Sequence, residues 1–272
     1  MDDLLLRLLV FAVVGIVSGY AAGLFSIGGG VIRIPIFVHL FPAFGLPHAM
    51  VMHVSVATSL ALVLPSAMVS VYEHKAAGTL DLKYFWTWAI GLVIGVVAGA
   101  VMLPWLSTEI LKLIFVIFLL VTATYLAFFD SSSAVKRPLP QGLVKVLAAS
   151  GIGCLAQLTG TGGGVITTST LKAFGISLNQ VFAVAAMTTL VVGIVATAGG
   201  IISGWQVPGR PPYSVGYVDS VVWAAMTPTV LLFAPLGVWT GQKLSGRWLK
   251  RLLIALLIVI ATEMAVKLFL EW

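Results

Sequence analysis

Of 272 residues, 60% are hydrophobic and only 9% are charged, a polar share too small to cover a water-soluble domain of that size. The formal charge of +6 sits in short loops between apolar runs, where it reads as a membrane-orientation signal and not as a nucleic-acid footprint. A single cysteine, Cys154, excludes an internal disulfide and a thiolate metal cage, and suits a small apolar packing position.

The apolar runs are roughly 18–25 residues long, enough to cross about 30 Å of hydrocarbon. The shorter, alternating segments of a transmembrane β-barrel do not occur. The predicted class is all-α, a polytopic helical membrane protein. The opening stretch MDDLLLRLLVFAVVGIVSGYAAG has an acidic start and a long core, so it reads as a retained span and not a cleaved signal. Helices are expected over 8–25, a short piece 31–41, then 49–72, 82–103 and 109–129. After the polar linker DSSSAVKRPLPQ they are expected over 143–158, a short piece 165–174, then 178–203, 218–240 and 249–270.

The two halves repeat. GGGVI at Gly28–Ile32 recurs at Gly162–Ile166, and VATSLALVL from Val56 matches AMTTLVVGI from Ala186. GTLDLKYFW from Gly78 matches GYVDSVVWA from Gly216, which sets Asp81 against Asp219; Leu111-Lys112 matches Leu249-Lys250. The expected organisation is a first transmembrane repeat over 1–130, a cytoplasmic linker over 131–142 and a second repeat over 143–272, a plan familiar in secondary transporters. If each short piece returns the chain to the side its preceding helix came from, each half crosses an odd net number of times and the repeats are inverted. The basic loops at Lys75/Lys83, Lys136/Arg137/Lys145 and Lys243/Arg247/Lys250/Arg251 then share one face, as the positive-inside rule requires. Both termini, the PWLSTE turn and the GWQVPGRPPYSVGY loop fall on the other face, so the protein is expected in the cell (inner) membrane with both ends outside. Tryptophans 86, 88, 239 and 248 near one boundary and 105, 205, 223 and 272 near the other fit interfacial belts.

A helix that stops inside a membrane leaves backbone amides unsatisfied, tolerable only where they line a cavity or meet a ligand. The helix that restarts after the glycines aims its first amides and positive dipole end at the break, which favours an anion. The candidate substrate-binding set is therefore Ser26, Gly28, Gly29, Gly30, Arg33, Thr58, Ser59, Gln157, Thr161, Gly162, Gly163, Gly164 and Thr188, with Thr159, Thr167, Thr168 and Thr189 nearby. Arg33 stands out, because an arginine facing lipid near the midplane costs about 2.5–3.5 kcal/mol or more, whereas its fork holds an oxyanion well. The competing reading of the glycines is close helix packing, and of the hydroxyls, bonding to their own helix. Asp81 and Asp219 each begin a span and read as N-caps. Glu263 and Lys267, four apart, read as a local ion pair. His53, with His39 and His48 upstream, is a candidate for proton coupling. No metal site, cofactor or catalytic residue is expected: His48 and His53 are spaced wrongly for one helical face, and neither a phosphate loop nor a nucleophile elbow is present.

The doubled order of a helix ending at a GxGGG-type break, a short helix and an ATSL-like segment resembles the TauE/SafE sulfite exporter family across essentially the whole chain. This chain departs from the family-like pattern in having Ser26-Ile27 before the first glycines where the second copy has Gly160-Thr161, Ser169 where the first copy has Pro35, and Arg33 where the second has Thr167. The resemblance implies a non-enzymatic permease for sulfite, a sulfonate or another sulfur-containing anion. Its expected partners are that small anion and the lipid bilayer, with a homo-oligomer left open. Export is the expected direction, since with a negative interior each charge leaving gains about 2.3 kcal/mol per 100 mV. An anion channel, or a membrane enzyme acting on a sulfur anion or lipid, are the alternatives.

Overall fold

The structure, a computed structural model, describes residues 2–25, 28–76, 78, 80, 82–128, 141–174, 176 and 178–271. Ten α-helices run through them in chain order: α1 (Asp2–Phe25), α2 (Gly30–Ala43), α3 (Val51–Ala76), α4 (Leu82–Met102) and α5 (Thr108–Phe128), then α6 (Gly142–Thr159), α7 (Gly164–Ala173), α8 (Leu178–Ser203), α9 (Ser220–Lys243) and α10 (Gly246–Glu271). Among the described residues eight helices are long and apolar enough to cross a membrane; α2 and α7 are the short ones. This is the polytopic all-α class read from the sequence. The large loop before α9 folds into an antiparallel pair β1 (Ser214–Val215) and β2 (Val218–Asp219), with Ser214 opposite Asp219.

Glycines let the helices approach closely. Gly15, Gly19 and Gly23 of α1 face Met226, Val230 and Ala234 of α9, so the two helices run side by side in the same direction. Gly91 and Gly99 of α4 face Val146 and Gln157 of α6 in the same manner. A Cβ at Gly19 would lie 2.8 Å from the Val230 backbone, so these positions serve the packing role that small residues commonly serve in membranes. At the centre α3 and α8 cross in opposite directions, with Gly193 against Leu64 and Gly200 against Ala57.

The short helices double back. Phe11 on α1 meets Phe37, Phe41 and Phe44 at ring separations of 5.9, 5.7 and 5.7 Å, and the Arg7 guanidinium lies 5.9 Å from the Phe44 ring. The end of α2 therefore lies beside the start of α1. In the second half Leu171 of α7 packs in a separate apolar cluster with Phe85 and Trp88 of α4, Ala149 of α6 and Val181 of α8. Trp88 is buried there, whereas Trp86, Trp105, Trp205, Trp223, Trp239 and Trp248 are exposed, Trp223 with its Nε1 donating to the Ala61 carbonyl at 3.1 Å.

Asp219 caps α9 as read from the sequence, accepting from the Val222 amide at 3.1 Å; Asp81 lies outside the described residues. Asp219 also forms an ion pair with Arg7, tying the start of α1 to the start of α9. The local pairing of Glu263 with Lys267 is corrected: Glu263 instead meets His39 Nε2 at 2.8 Å, across from α10 to α2. The compact imidazole offers a fixed contact, whereas a lysine on the same helix must freeze a long chain to gain the few tenths of a kcal/mol such a pair is worth.

Candidate functional site at the paired helix breaks

Each break is built by left-handed backbone. Gly28 and Gly29 both have φ of 75°, and Gly29 is the N-cap of α2; no side chain caps it. Gly160 (φ 65°) ends α6, and Gly162 and Gly163 (φ 76° and 75°) lead into α7. A side chain at these angles would be strained by about 1–2 kcal/mol per residue, which is why glycine is the residue that makes such turns.

The two breaks touch. A Cβ placed on Gly30 would lie 2.8 Å from Thr161 Cα, and one on Gly28 would lie 3.3 Å from the Thr161 carbonyl oxygen. Ser59 of α3 closes the junction by donating its hydroxyl to the Gly160 carbonyl at 2.8 Å. Thr159 and Thr161 share a hydrogen bond at 3.0 Å, and the Thr159 hydroxyl also donates to the Leu155 carbonyl at 2.6 Å, the within-helix bonding common for membrane threonines. Thr188 and Thr189 of α8 flank the second break, 3.6 Å from a Cβ on Gly163 and 3.3 Å from one on Gly162 respectively.

Arg33 is fully buried in the first turns of α2. Its Nη1 reaches the Ser59 carbonyl at 3.4 Å, a long bond, while Nε and Nη2 have no hydrogen-bond partner. The guanidinium folds back toward its own helix start, since a Cβ on Gly29 would lie 2.6 Å from Nη2. Among the described residues Arg33 has no carboxylate partner. A buried unpaired cation with two idle donors is costly unless an anion joins it. Gln157 is likewise fully buried with neither amide atom bonded.

The structure thus brings together Gly28, Gly29, Gly30, Arg33, Ser59, Thr161, Gly162, Gly163 and Gly164, with Thr188 at the edge. Gln157 sits just before the second break with its stem against Gly99. Thr58 faces elsewhere, accepting from the Asp219 amide at 3.0 Å. Ser26 lies outside the described residues. His53 sits away from the breaks, its Nε2 3.0 Å from the Leu103 carbonyl and its ring 5.2 Å from that of Tyr217. Ser55 is an addition that sequence reasoning passed over: buried, unbonded, and one turn before Ser59 on the same helix face.

The family described as Sulfite exporter TauE/SafE matches residues 11–264. The chain belongs to the TauE/SafE family. This family member is 28% identical over 260 residues to a probable membrane transporter protein of Haemophilus influenzae, covering 96% of this chain and 98% of that one. It is 27% identical over 259 residues to a probable membrane transporter protein of Methanocaldococcus jannaschii, covering 94% of each. A further Haemophilus influenzae protein of the same description is 32% identical over 164 residues, 58% of each chain. No solved structure matches. The protein is a multi-pass membrane transporter.

Proposed function

We propose that this TauE/SafE protein is a secondary transporter of a small sulfur-containing oxyanion, sulfite or an organosulfonate, and that the anion binds where the two breaks meet. The observation that carries the reading is Arg33: a buried guanidinium with two unbonded nitrogens beside the N-terminus of α2, reaching the same Ser59 whose hydroxyl bonds the Gly160 carbonyl of the second break. Two helix N-termini and a fork of donors suit a ligand rich in acceptor oxygens and poor in apolar surface. Ser59, Thr161, Thr188 and Gln157 supply neutral donors around it, with Ser26 the remaining candidate from the sequence.

The side-by-side pairing of α1 with α9 and of α6 with α4 supports reading residues 1–130 and 143–272 as two inverted repeats joined by 131–142. Such repeats rock about a central site to give alternating access. The distribution of the basic loops supports a cytoplasmic linker and termini outside an inner membrane. With the interior negative, the field favours outward flux of the anion without a coupled cation, which makes export the proposed direction.

The test is flux in proteoliposomes loaded in parallel with sulfite, thiosulfate, sulfate, methanesulfonate and a carboxylate control. Saturable flux of one sulfur oxyanion, altered by an imposed potential, is expected. No flux of any of the four sulfur anions from folded protein would overturn the reading.

A further inference from the structure

Outside the breaks, the structure has two related crevices. One, of about 680 Å³, lies between α1, α2 and α10; the other, of about 410 Å³, lies between α5, α6 and α7. The register that pairs Leu111 with Leu249 pairs Tyr125 with Glu263, and the register that pairs the glycines matches Pro35 with Ser169. The crevices are thus equivalent, and each is bridged at the same place. In the second half the Tyr125 hydroxyl donates to the Ser169 carbonyl at 3.2 Å. In the first half the Pro35 carbonyl is met by His39 Nδ1 at 2.7 Å, and His39 Nε2 continues to the Glu263 carboxyl at 2.8 Å.

That chain counts its own protons. A carbonyl oxygen only accepts, so the contact with Pro35 requires a proton on Nδ1. Nε2 then faces a carboxyl oxygen at 2.8 Å, and two lone pairs at that distance repel. The contact closes only when one more proton is present, on Nε2 as imidazolium beside carboxylate, or on the carboxyl beside neutral imidazole. In the second repeat the Tyr125 hydroxyl brings its own donor to the Ser169 carbonyl, so the requirement is confined to the half that carries Arg33.

The surroundings of the pair are mostly apolar. Val10, Val13 and Val14 of α1, Ile36 of α2 and Leu256 and Ile260 of α10 line the crevice, all apolar. The charged and titratable groups of the neighbouring helices are engaged elsewhere or lie further along. Arg7 of α1 is paired with Asp219 of the strand before α9, Arg33 of α2 turns to Ser59 of α3, and His53 of α3 points at the Leu103 carbonyl. On α5, which packs on α10, Glu109 and Lys112 both approach His48. Lys267 lies one turn beyond Glu263 on α10.

We propose that His39 and Glu263 together bind one proton, and that this proton latches α2 to α10. Helix α2 carries Arg33 buried toward α3 and His39 exposed toward α10, so releasing the latch frees the helix that holds the anion-binding guanidinium. The proton enters from water to close the contact and returns to water when it opens, making the rate of the transport cycle pH-dependent while the anion still moves without a coupled cation. This rests on the reading of Arg33 as the anion site.

The test has two arms, one of which needs no substrate. In wild-type protein with isotope-labelled histidine, the ring signals are followed by nuclear magnetic resonance from pH 5 to 9, with His39 assigned by its loss in His39→Gln. Glu263→Gln is expected to move the His39 titration to lower pH, because the partner that holds the proton has gone; an unmoved titration overturns the proton pair. In the second arm, methanesulfonate, which does not titrate near neutrality, is the transported probe, with equal pH on both sides and the potential clamped. Wild type is expected to change rate by up to about tenfold per pH unit, the slope of one bound proton. Both variants are expected to keep flux and lose that pH dependence. Retained pH dependence in either variant overturns the latch, as does pH-independent flux in wild type. Absence of methanesulfonate flux altogether counts against the substrate reading, and the resonance arm then decides the proton pair by itself.

Discussion

Replacing Arg33 with glutamine should separate binding from stability in opposite directions. In the unliganded protein Arg33 is fully buried, held by one 3.4 Å contact and by no carboxylate among the described residues. Removing an uncompensated buried charge while keeping most of the side-chain volume should raise unliganded stability by about 1–3 kcal/mol, the desolvation cost of idle polar groups. The anion loses the partner that two free donors would have supplied. Truncating one side of a buried, hydrogen-bonded charge pair costs about 2–5 kcal/mol, so binding should weaken by roughly 30-fold to several thousand-fold. The assay is thermal unfolding in detergent, with and without sulfite and methanesulfonate, alongside calorimetric titration. Expected are a higher Tm without anion and a lost or much reduced anion-induced rise. Wild-type affinity in Arg33→Gln would refute the reasoning, and so would a variant destabilised without anion, since that would make Arg33 a structural contact.

Gly163→Ala introduces a Cβ at φ 75°, 3.2 Å from the Ala156 methyl; it should cost about 1–2 kcal/mol and lower Tm while slowing flux, and an unchanged Tm would contradict the left-handed break. Ser59→Ala leaves the Gly160 carbonyl without its 2.8 Å donor and should cost about 1–3 kcal/mol in denaturant or thermal unfolding. Asp219→Asn retains a capping side chain but strands Arg7, so a loss of about 3–5 kcal/mol is expected, largely recovered by adding Arg7→Met. Trp223→Phe removes the donor to the Ala61 carbonyl and should cost about 1 kcal/mol, measured the same way.

Much of the fold was legible because membrane spans announce themselves by length and apolarity. All ten helices lie where the hydropathy and glycine pattern put them, with ends displaced by a few residues at most for all except α1, which begins at Asp2. The contact of the two breaks followed from their repetition: two half-helix ends of equivalent rank in two related halves have few other places to go. Pairings across the bundle were not legible. Nothing local joins His39 to Glu263 or Arg7 to Asp219, and these contacts exist only because α2 reaches α10 and α1 lies along α9. Thr58 shows the same limit from the other side. It neighbours Ser59 in sequence, but one residue along a helix turns a side chain by about 100°, which sends Thr58 to Asp219 and Ser59 to the break.

The most direct measurement is protection of the break itself. With Cys154 replaced by alanine and Thr161→Cys introduced, the rate of alkylation by a membrane-impermeant thiol reagent is recorded in proteoliposomes, with sulfite, methanesulfonate or a carboxylate added. The sulfur anion that is transported should slow alkylation saturably, and the carboxylate should not. Alkylation at the same rate with and without a transported anion would place the anion elsewhere and contradict the account of the paired helix breaks.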